Sequence, residues 1–465
     1  MAIQSGALAR LLCCAAATLA FCIGTALAQV PNPVVTPVPS TVPAGDPSRD
    51  YIFFASNHLA DAGYVEEEFF IEGTANRYLT PALTTGTVIS SGHPYKSRIV
   101  VRRPSDPRKF NGTVLVEWNN VTNGFDADNT WFFAWDHILR AGYVWVGVSA
   151  QNVGVSRLRT WNPVRYGTLD VTVGGTITGD ALSYDVFSQA GQAIKWPQGV
   201  DPLHGLHPQW VVAMGESQSA SRLSTYANSI QPLADVYDGI LLLSSLGNRI
   251  RTDLDVPLFK VLTEWDVTGA NEANVRQPDT SMLVTWEVAG TSHVDKHLRA
   301  SREPLELRDN GVSSEALLAP TCGVTSIGTN SPMHYVMASA LDKLVEWLDE
   351  RRPPPSSPRI EISQFGSPSL AARDEFGIAK GGIRLSEVEV PTEYNNGTNT
   401  GPGACNRWGY SLPFPQQLLD ELYRNHGQYV SRVSQVNDAN VRAGYILRVD
   451  AQASTMTAAH SEVGK

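Results

Sequence analysis

Short apolar runs alternate along this chain with stretches whose apolar residues recur every three or four positions. Ser97 to Arg102, Gly112 to Trp118, Tyr143 to Ser149, Gln209 to Met214, Tyr237 to Leu243, Leu258 to Thr263 and Met282 to Val288 are largely apolar. Between them, Asn129 to Arg140 and Ala181 to Lys195 have helical spacing, the first followed by a stop signal at Ala141-Gly142. Strands that are hydrophobic throughout, rather than at every second residue, and that alternate with helices predict an α/β fold. Its central sheet is mostly parallel, with helices on both faces. Such a sheet carries its chemistry at the carboxyl ends of its strands.

After residue 300 the pattern changes. Met333 to Glu350 reads as an amphipathic helix that Arg351-Arg352-Pro353-Pro354-Pro355 stops sharply. From there on, Pro, Gly, Asn and short strand-like pieces predict a loop-rich C-terminal extension, 351–465, docked on a core of 51–350.

The N-terminus adds a targeting reading. Arg10 is the only charge before the apolar run Leu11 to Leu27, which ends in Ala26-Leu27-Ala28 before Gln29. This is a signal-peptide pattern with cleavage after Ala28, so 1–28 is expected to be removed. A Pro-rich linker, 29–50, follows in place of a basic stop-transfer cluster, and no other segment is long and apolar enough to span a membrane. The expected location is therefore exported, periplasmic or extracellular, without stable membrane insertion.

Cysteine and charge narrow the picture further. Cys13, Cys14 and Cys22 leave with the signal peptide; Cys322 and Cys405 remain, an even pair that predicts a disulfide in an oxidising compartment. Two cysteines so far apart make no zinc pattern, so no metal is expected. The formal net charge of −10 and the lack of clustered Lys and Arg argue against nucleic acid as a partner.

The most informative segment is Trp210 to Arg222, W-V-V-A-M-G-E-S-Q-S-A-S-R. An apolar strand runs into Gly215-Glu216-Ser217-Gln218-Ser219, and a helical pattern starts at once. A serine on such a strand-to-helix turn presents its hydroxyl at the top of the sheet, and its neighbours two residues away must be small. Gly215 and Ser219 meet that condition, although Ser219 replaces the usual second glycine. The turn aims the backbone N–H of Gln218 at a developing oxyanion. A second N–H is expected from the loop after Gly112 to Trp118, at Asn120 or Val121.

Two further segments supply partners. His293, in A-G-T-S-H-V-D, follows the run Met282 to Val288, and Glu264 and Asp266, in V-L-T-E-W-D-V, follow Leu258 to Thr263. Serine, acid, histidine is the chain order of the α/β-hydrolase fold. His293 would act as general base toward Ser217, and the acid would hold one imidazole nitrogen as N–H. Two residues apart in an extended segment, Glu264 and Asp266 would point the same way; the usual spacing past the strand favours Asp266, with Glu264 as the alternative.

V-E-W-N-N-V-T-N-G-F-D, G-E-S-Q-S-A, V-L-T-E-W-D-V, R-Q-P-D-T and W-E-V-A-G-T-S-H-V-D together resemble the large secreted bacterial proteins usually called α/β-hydrolase domain-containing proteins. The resemblance runs from about Tyr64 to Asp450, and includes Cys322, Cys405 and the late D-E-F-G-I-A-K-G-G-I-R-L and V-E-V-P-T segments. It implies a Ser–acid–His hydrolase without a cofactor, and little about substrate. The expected reaction is cleavage of a small-molecule or polymer carboxylic ester through an acyl-enzyme. An acyltransferase, peptidase or lyase on the same residues is the alternative within enzymes, and a non-catalytic binding protein the alternative outside them. Trp118, Trp131, Trp135, Trp161 and Trp265 fall near the inferred site edge, where core and rim packing is a simpler role than an aromatic platform. His334 reads as structural, and Gly381 to Arg384 is expected near the mouth of the site.

Overall fold

The computed structural model describes residues 30–39, 52–56 and 59–465. The expected signal peptide, 1–28, and much of the following linker lie outside the described residues. Ten strands form the central sheet: β1 (Val34–Pro37), β2 (Tyr64–Leu79), β3 (Thr87–Pro104), β4 (Thr113–Trp118), β5 (Val144–Val148), β6 (Gln198–Gly199), β7 (Trp210–Glu216), β8 (Gly239–Leu243), β9 (Leu258–Thr263) and β10 (Leu283–Val288). Their spatial order is β10-β9-β8-β7-β4-β5-β3-β2-β1-β6. The block from β10 to β5 is parallel, while β3, β2 and β1 add antiparallel strands on one side.

The runs read as strands are buried on both faces because each face has its own layer of helices. Along β4, Val114, Val116 and Trp118 pack into one core with Val186, Phe187 and Ala190 of the helix Ser183–Lys195. Leu115, between them, packs into the other core with Phe132 and Ile138 of the helix Asn129–Ala141 and Leu341 of the helix Met333–Glu350. Side chains that alternate across a strand explain the division. The helix Asn129–Ala141 ends at Gly142, whose φ of 78° is left-handed. A Cβ there would meet the Lys109 carbonyl oxygen at 1.9 Å, so both backbone and space demand glycine.

Three features depart from the pattern reading. Val34–Pro37, inside the stretch read as a linker, is a strand that pairs with Phe69 to Glu72 of β2. β2 and β3 are 16 and 18 residues long and pair along most of their length; only Ser97 to Arg102 of this hairpin was apolar enough to stand out. The extension is loop-rich only as far as about Pro415, and then forms helices at Gln416–Leu422, His426–Ala443 and Arg448–His460. Tyr429, Val433, Asn437 and Asn440 are the buried positions of the second of these, a helical spacing with two polar members that hides it from an apolar scan.

The extension closes the edge of the sheet. Ile383 N–H donates to the Glu287 carbonyl at 2.7 Å and its carbonyl accepts from Ala289 N–H at 3.0 Å, next to the last strand β10. The buried Glu287 carboxylate accepts from Arg276 at 2.6 Å and from Ile360 N–H at 2.8 Å. An unpaired edge is thereby covered. Gly382, Ile383 and Arg384 thus cap an edge and line a separate groove with Arg432 and Tyr445, away from the mouth where they were expected. Cys322 and Cys405 are bridged, with Cα atoms 5.4 Å apart across 83 positions of sequence. No helix among the described residues is long and apolar enough to cross a membrane.

Because the bridge closes so long a loop, the Cys322→Ser, Cys405→Ser double variant is expected to lose on the order of 4 kcal/mol of stability through the entropy of the unfolded chain. Thermal melts of the variant and the parent, with and without reductant, check this: only the parent should shift on reduction.

Candidate active site

Strand β7 passes directly into the helix Gln218–Thr225 through one residue, Ser217, with φ 57° and ψ −115°. A left-handed backbone at a non-glycine residue persists only when its surroundings impose it. Gly215 gives the turn room, since a Cβ there would lie 3.1 Å from the Ser219 carbonyl. Ser219, where a second glycine is usual, fastens the turn from the other side. Its hydroxyl accepts from Glu216 N–H at 3.0 Å and donates to the Glu216 carbonyl at 2.8 Å.

His293 approaches this serine from the loop after β10. Its Nε2 lies 2.8 Å from Ser217 Oγ, and its Nδ1 lies 2.7 Å from Asp266 Oδ1. The loop is held at several points. Thr291 Oγ1 donates to the Val288 carbonyl at 2.7 Å, Ser292 N–H to Thr329 Oγ1 at 3.0 Å, and Val294 N–H to the Arg407 carbonyl at 3.2 Å. The Trp265 ring packs on the imidazole with centroids 4.7 Å apart.

The two acids separate because their segment is helical and not extended. Glu264–Thr268 forms a short helix capped reciprocally by Thr263 and Asp266. Two residues along a helix differ by about 200° in direction, so Asp266 faces the imidazole while Glu264 faces away. Asp266 Oδ2 accepts from Thr263 N–H at 2.7 Å, which fixes the carboxylate behind the ring. Glu264 accepts from Gly290 N–H at 3.0 Å, Arg373 at 2.8 Å and Gly397 N–H at 3.3 Å, and so ties the extension to the core.

The loop after β4 needs one correction. Asn120 N–H donates to the Ala127 carbonyl at 3.0 Å, so it is committed within its own loop. Val121 N–H instead faces the elbow and donates to the Gln218 side-chain oxygen at 3.3 Å. Gln218 itself opens the helix directly after Ser217. Buried groups hold this loop: Asn119 donates to Asp128 at 2.7 Å, Arg102 to Asp128 at 2.6 Å, and Ser149 to Asp126 at 2.5 Å.

Glu216 was overlooked as more than a spacer. Its buried carboxylate accepts from Asn129 at 2.7 Å and Asn120 at 3.1 Å, and lies 3.4 Å from His293 Nε2. An acid directly before the serine was the available signal. Burial raises the Glu216 pKa, partly offset by the His293 charge and the Asn129 hydrogen bond. For His293, burial alone lowers the pKa, but the Asp266 charge, its hydrogen bond and the Glu216 charge prevail and raise it.

Ser217 and His293 open onto a cavity of about 560 Å³, within the range of small-molecule sites. Asn120, Asn129 and Glu216 line the side near the serine, and Leu317, Leu318, Ala404, Arg407 and Trp408 belong to the segments that flank the disulfide. None of the five tryptophans noted in the sequence lines it. Trp118 packs on Phe187 at 4.7 Å, Trp131 beneath Arg102 at 4.5 Å and Trp161 on Phe53 at 4.7 Å, while the Trp135 indole donates to Ser301 at 3.1 Å. Trp408, beside Cys405, is the aromatic that sequence reading missed. His334 stacks on His297 at 3.7 Å, away from the serine. Among the described residues no cluster of His, Cys, Asp and Glu could hold a metal.

A family described as alpha/beta hydrolase domain matches residues 34–456. The chain belongs to this family. No curated protein matches the hydrolase. Solved structures similar to it include fungal esterases from Rhizomucor miehei, at 11% identity over 53% of this chain and 82% of that one, with a TM-score of 0.29. A serine hydrolase without a lid from Xanthomonas campestris has 13% identity over 52% and 95%, with a TM-score of 0.28. Oligopeptidase B from Trypanosoma brucei has 13% identity over 54% and 38%, also with a TM-score of 0.28.

The charges around the imidazole make a test that needs no substrate. In the Glu216→Gln hydrolase His293 loses one of two negative neighbours, so its titration is expected at lower pH than in the parent. Histidine NMR followed against pH reads the shift; an unchanged or higher midpoint contradicts the assigned contact.

Proposed function

We propose that this alpha/beta hydrolase is an exported serine hydrolase that cleaves a carboxylic ester, with Ser217 as nucleophile, His293 as general base and Asp266 as the third member. The observation that carries the reading is the continuous hydrogen-bonded path Asp266–His293–Ser217, at 2.7 Å and 2.8 Å, opening onto a cavity.

In this mechanism His293 Nε2 takes the Ser217 proton as Oγ attacks the ester carbonyl. Asp266 keeps Nδ1 protonated and stabilises the imidazolium that results. The oxyanion displaces the Gln218 amide oxygen from Val121 N–H and also accepts from Gln218 N–H. A neutral amide oxygen at 3.3 Å is a weak occupant, and a full negative charge is a better acceptor for the same donor. Collapse of the tetrahedral species breaks the ester bond, and the imidazolium returns its proton to the departing alcohol. Water, deprotonated by the same histidine, then releases the acid from Ser217. Export is supported by the leader-like residues before Gln29 and by the Cys322–Cys405 bridge, since disulfides persist in oxidising compartments.

Ser217→Ala is expected to abolish both fluorophosphonate labelling and turnover of p-nitrophenyl esters. Wild-type enzyme that resists the probe and cleaves none of a series of graded acyl length would overturn the reading.

The two acids give a sharper comparison. Asp266→Asn should lower kcat by about 10³- to 10⁴-fold. Glu264→Gln should retain turnover in the folded fraction but lose about 3 kcal/mol of stability, because it leaves Arg373 without its buried partner. Kinetics and melts on both variants decide this, and the reverse pattern would transfer the role to Glu264.

A further inference from the structure

Two arginines that the proposed reaction does not use line the cavity, Arg302 and Arg407, and of these only Arg302 is paired with a carboxylate, that of Glu306. The Arg407 backbone carbonyl accepts from Val294 N–H at 3.2 Å, one residue beyond His293. Other arginines of the same half of the chain have carboxylate partners. Arg299 pairs with Glu315, Arg302 with Glu306 at 2.9 Å, and Arg373 with Glu264 at 2.8 Å. Among the described residues Arg407 has no carboxylate within ion-pair distance and no acceptor for its guanidinium. Half-buried in the cavity wall, this cation receives no partner from the fold.

Its position also works against the proposed chemistry. The Arg407 charge opposes protonation of His293, the event that must accompany attack by Ser217. An anion placed against the guanidinium would cancel that opposition. It would therefore help the transition state as well as binding, which is the condition for a substrate group to raise kcat. The same anion would be repelled by Glu216, and the charge of Arg302 is already met by Glu306, so Arg407 is the lining cation left to favour it.

We propose that Arg407 is a specificity-determining residue that pairs with a carboxylate on the substrate, so that the enzyme prefers esters bearing a free acid group over neutral esters of the same size. Guanidinium is suited to this role because its fork of N–H donors matches a carboxylate with two parallel hydrogen bonds. The apolar residues beside it, Leu317, Leu318 and Trp408, accommodate the carbon skeleton that joins the acid to the ester. The acid can belong to the acyl part or to the alcohol part, and the chemistry of recognition is the same. This inference rests on the ester-hydrolase reading and names the substrate class for it.

The test uses two matched pairs of esters on the full-length enzyme. The butyrate esters of 4-hydroxybenzoate and 4-hydroxybenzamide differ in charge on the alcohol side. The mono-4-nitrophenyl ester of adipic acid and 4-nitrophenyl hexanoate differ on the acyl side. Wild-type enzyme should favour the charged member of at least one pair in kcat/KM, with part of the gain in kcat. Arg407→Gln should lose about tenfold or more on that member with no matching loss on the neutral one, while Arg407→Lys should recover part of the loss. Equal charged-to-neutral ratios in wild type and Arg407→Gln, in both pairs, overturn the proposal. Turnover of the neutral esters reports the ester-hydrolase reading separately. Calorimetric binding of adipate, weaker in Arg407→Gln, tests the subsite on enzyme that cleaves neither ester, and adipate binding equal in both proteins counts against it.

Discussion

A left-handed backbone at Ser217 costs on the order of 1–3 kcal/mol for a residue with a side chain, and the surrounding structure is arranged to hold it. β7 is buried between β4 and β8, so its end cannot drift, and the helix Gln218–Thr225 is packed from its first turns by Ala220 and Leu223. Gly215 leaves the space that the turn occupies, and the Ser219 hydroxyl ties it to the Glu216 backbone. Asn120 reaches across from the neighbouring loop to the Glu216 carbonyl at 3.0 Å, which couples the turn to the loop that carries Val121. The two proposed oxyanion donors therefore move together with the serine, and not as three independent loops.

The same compactness sets the electrostatics. Two carboxylates, Asp266 and Glu216, face one imidazole from opposite nitrogens. Asp266 is fixed by a capping box and can hold only Nδ1, so it defines the tautomer that leaves Nε2 free for Ser217. Glu216 has its carboxylate engaged by Asn120 and Asn129, and acts on Nε2 through space. A raised His293 pKa makes the ring a better proton acceptor and shifts the pH at which it is neutral upward. The balance between these effects depends on burial, because in a wet site neither carboxylate would matter so much.

How much of this was legible from residues alone follows from which forces write themselves into local pattern. Strands buried on both faces, such as Leu258–Thr263, must be apolar throughout, and the helix Met333–Glu350 must repeat every three or four residues, so both appeared with their observed ends. Ser217 and His293, whose side chains lie 2.8 Å apart, could be singled out because a strand-to-helix serine and a histidine after the last core strand carry positional information. The acid stayed open between two residues because the direction of a side chain depends on whether Thr263 caps a helix, which apolar periodicity does not report. Asn120 was wrong as a donor for a similar reason: its N–H is spent on Ala127, seven residues away, in a bridge that only the folded loop reveals. Long β2 and β3 escaped because much of each is polar or exposed, and the last two helices because their buried positions include Asn437 and Asn440 in one and Asp450 and Ser454 in the other.

The C-terminal extension then changes the meaning of the core. A sheet of this kind can end at β10, yet here Ile360, Ile378, Ala379 and Val388 pack on Leu262 and Ala289 in a cluster of their own, beside the strand that positions Asp266. Glu264 reaches the extension through Arg373 and Gly397 while its neighbour two residues on serves the imidazole. The disulfide adds the second attachment, and the residues on either side of it, from Leu317 to Thr321 and from Pro402 to Trp408, line the cavity. The cavity wall and the docking of the extension are thus carried by the same segments. Loosening the wall would move Arg407 and Trp408 together, and it would reach the imidazole as well, because Val294 N–H, one residue past His293, donates to the Arg407 carbonyl at 3.2 Å.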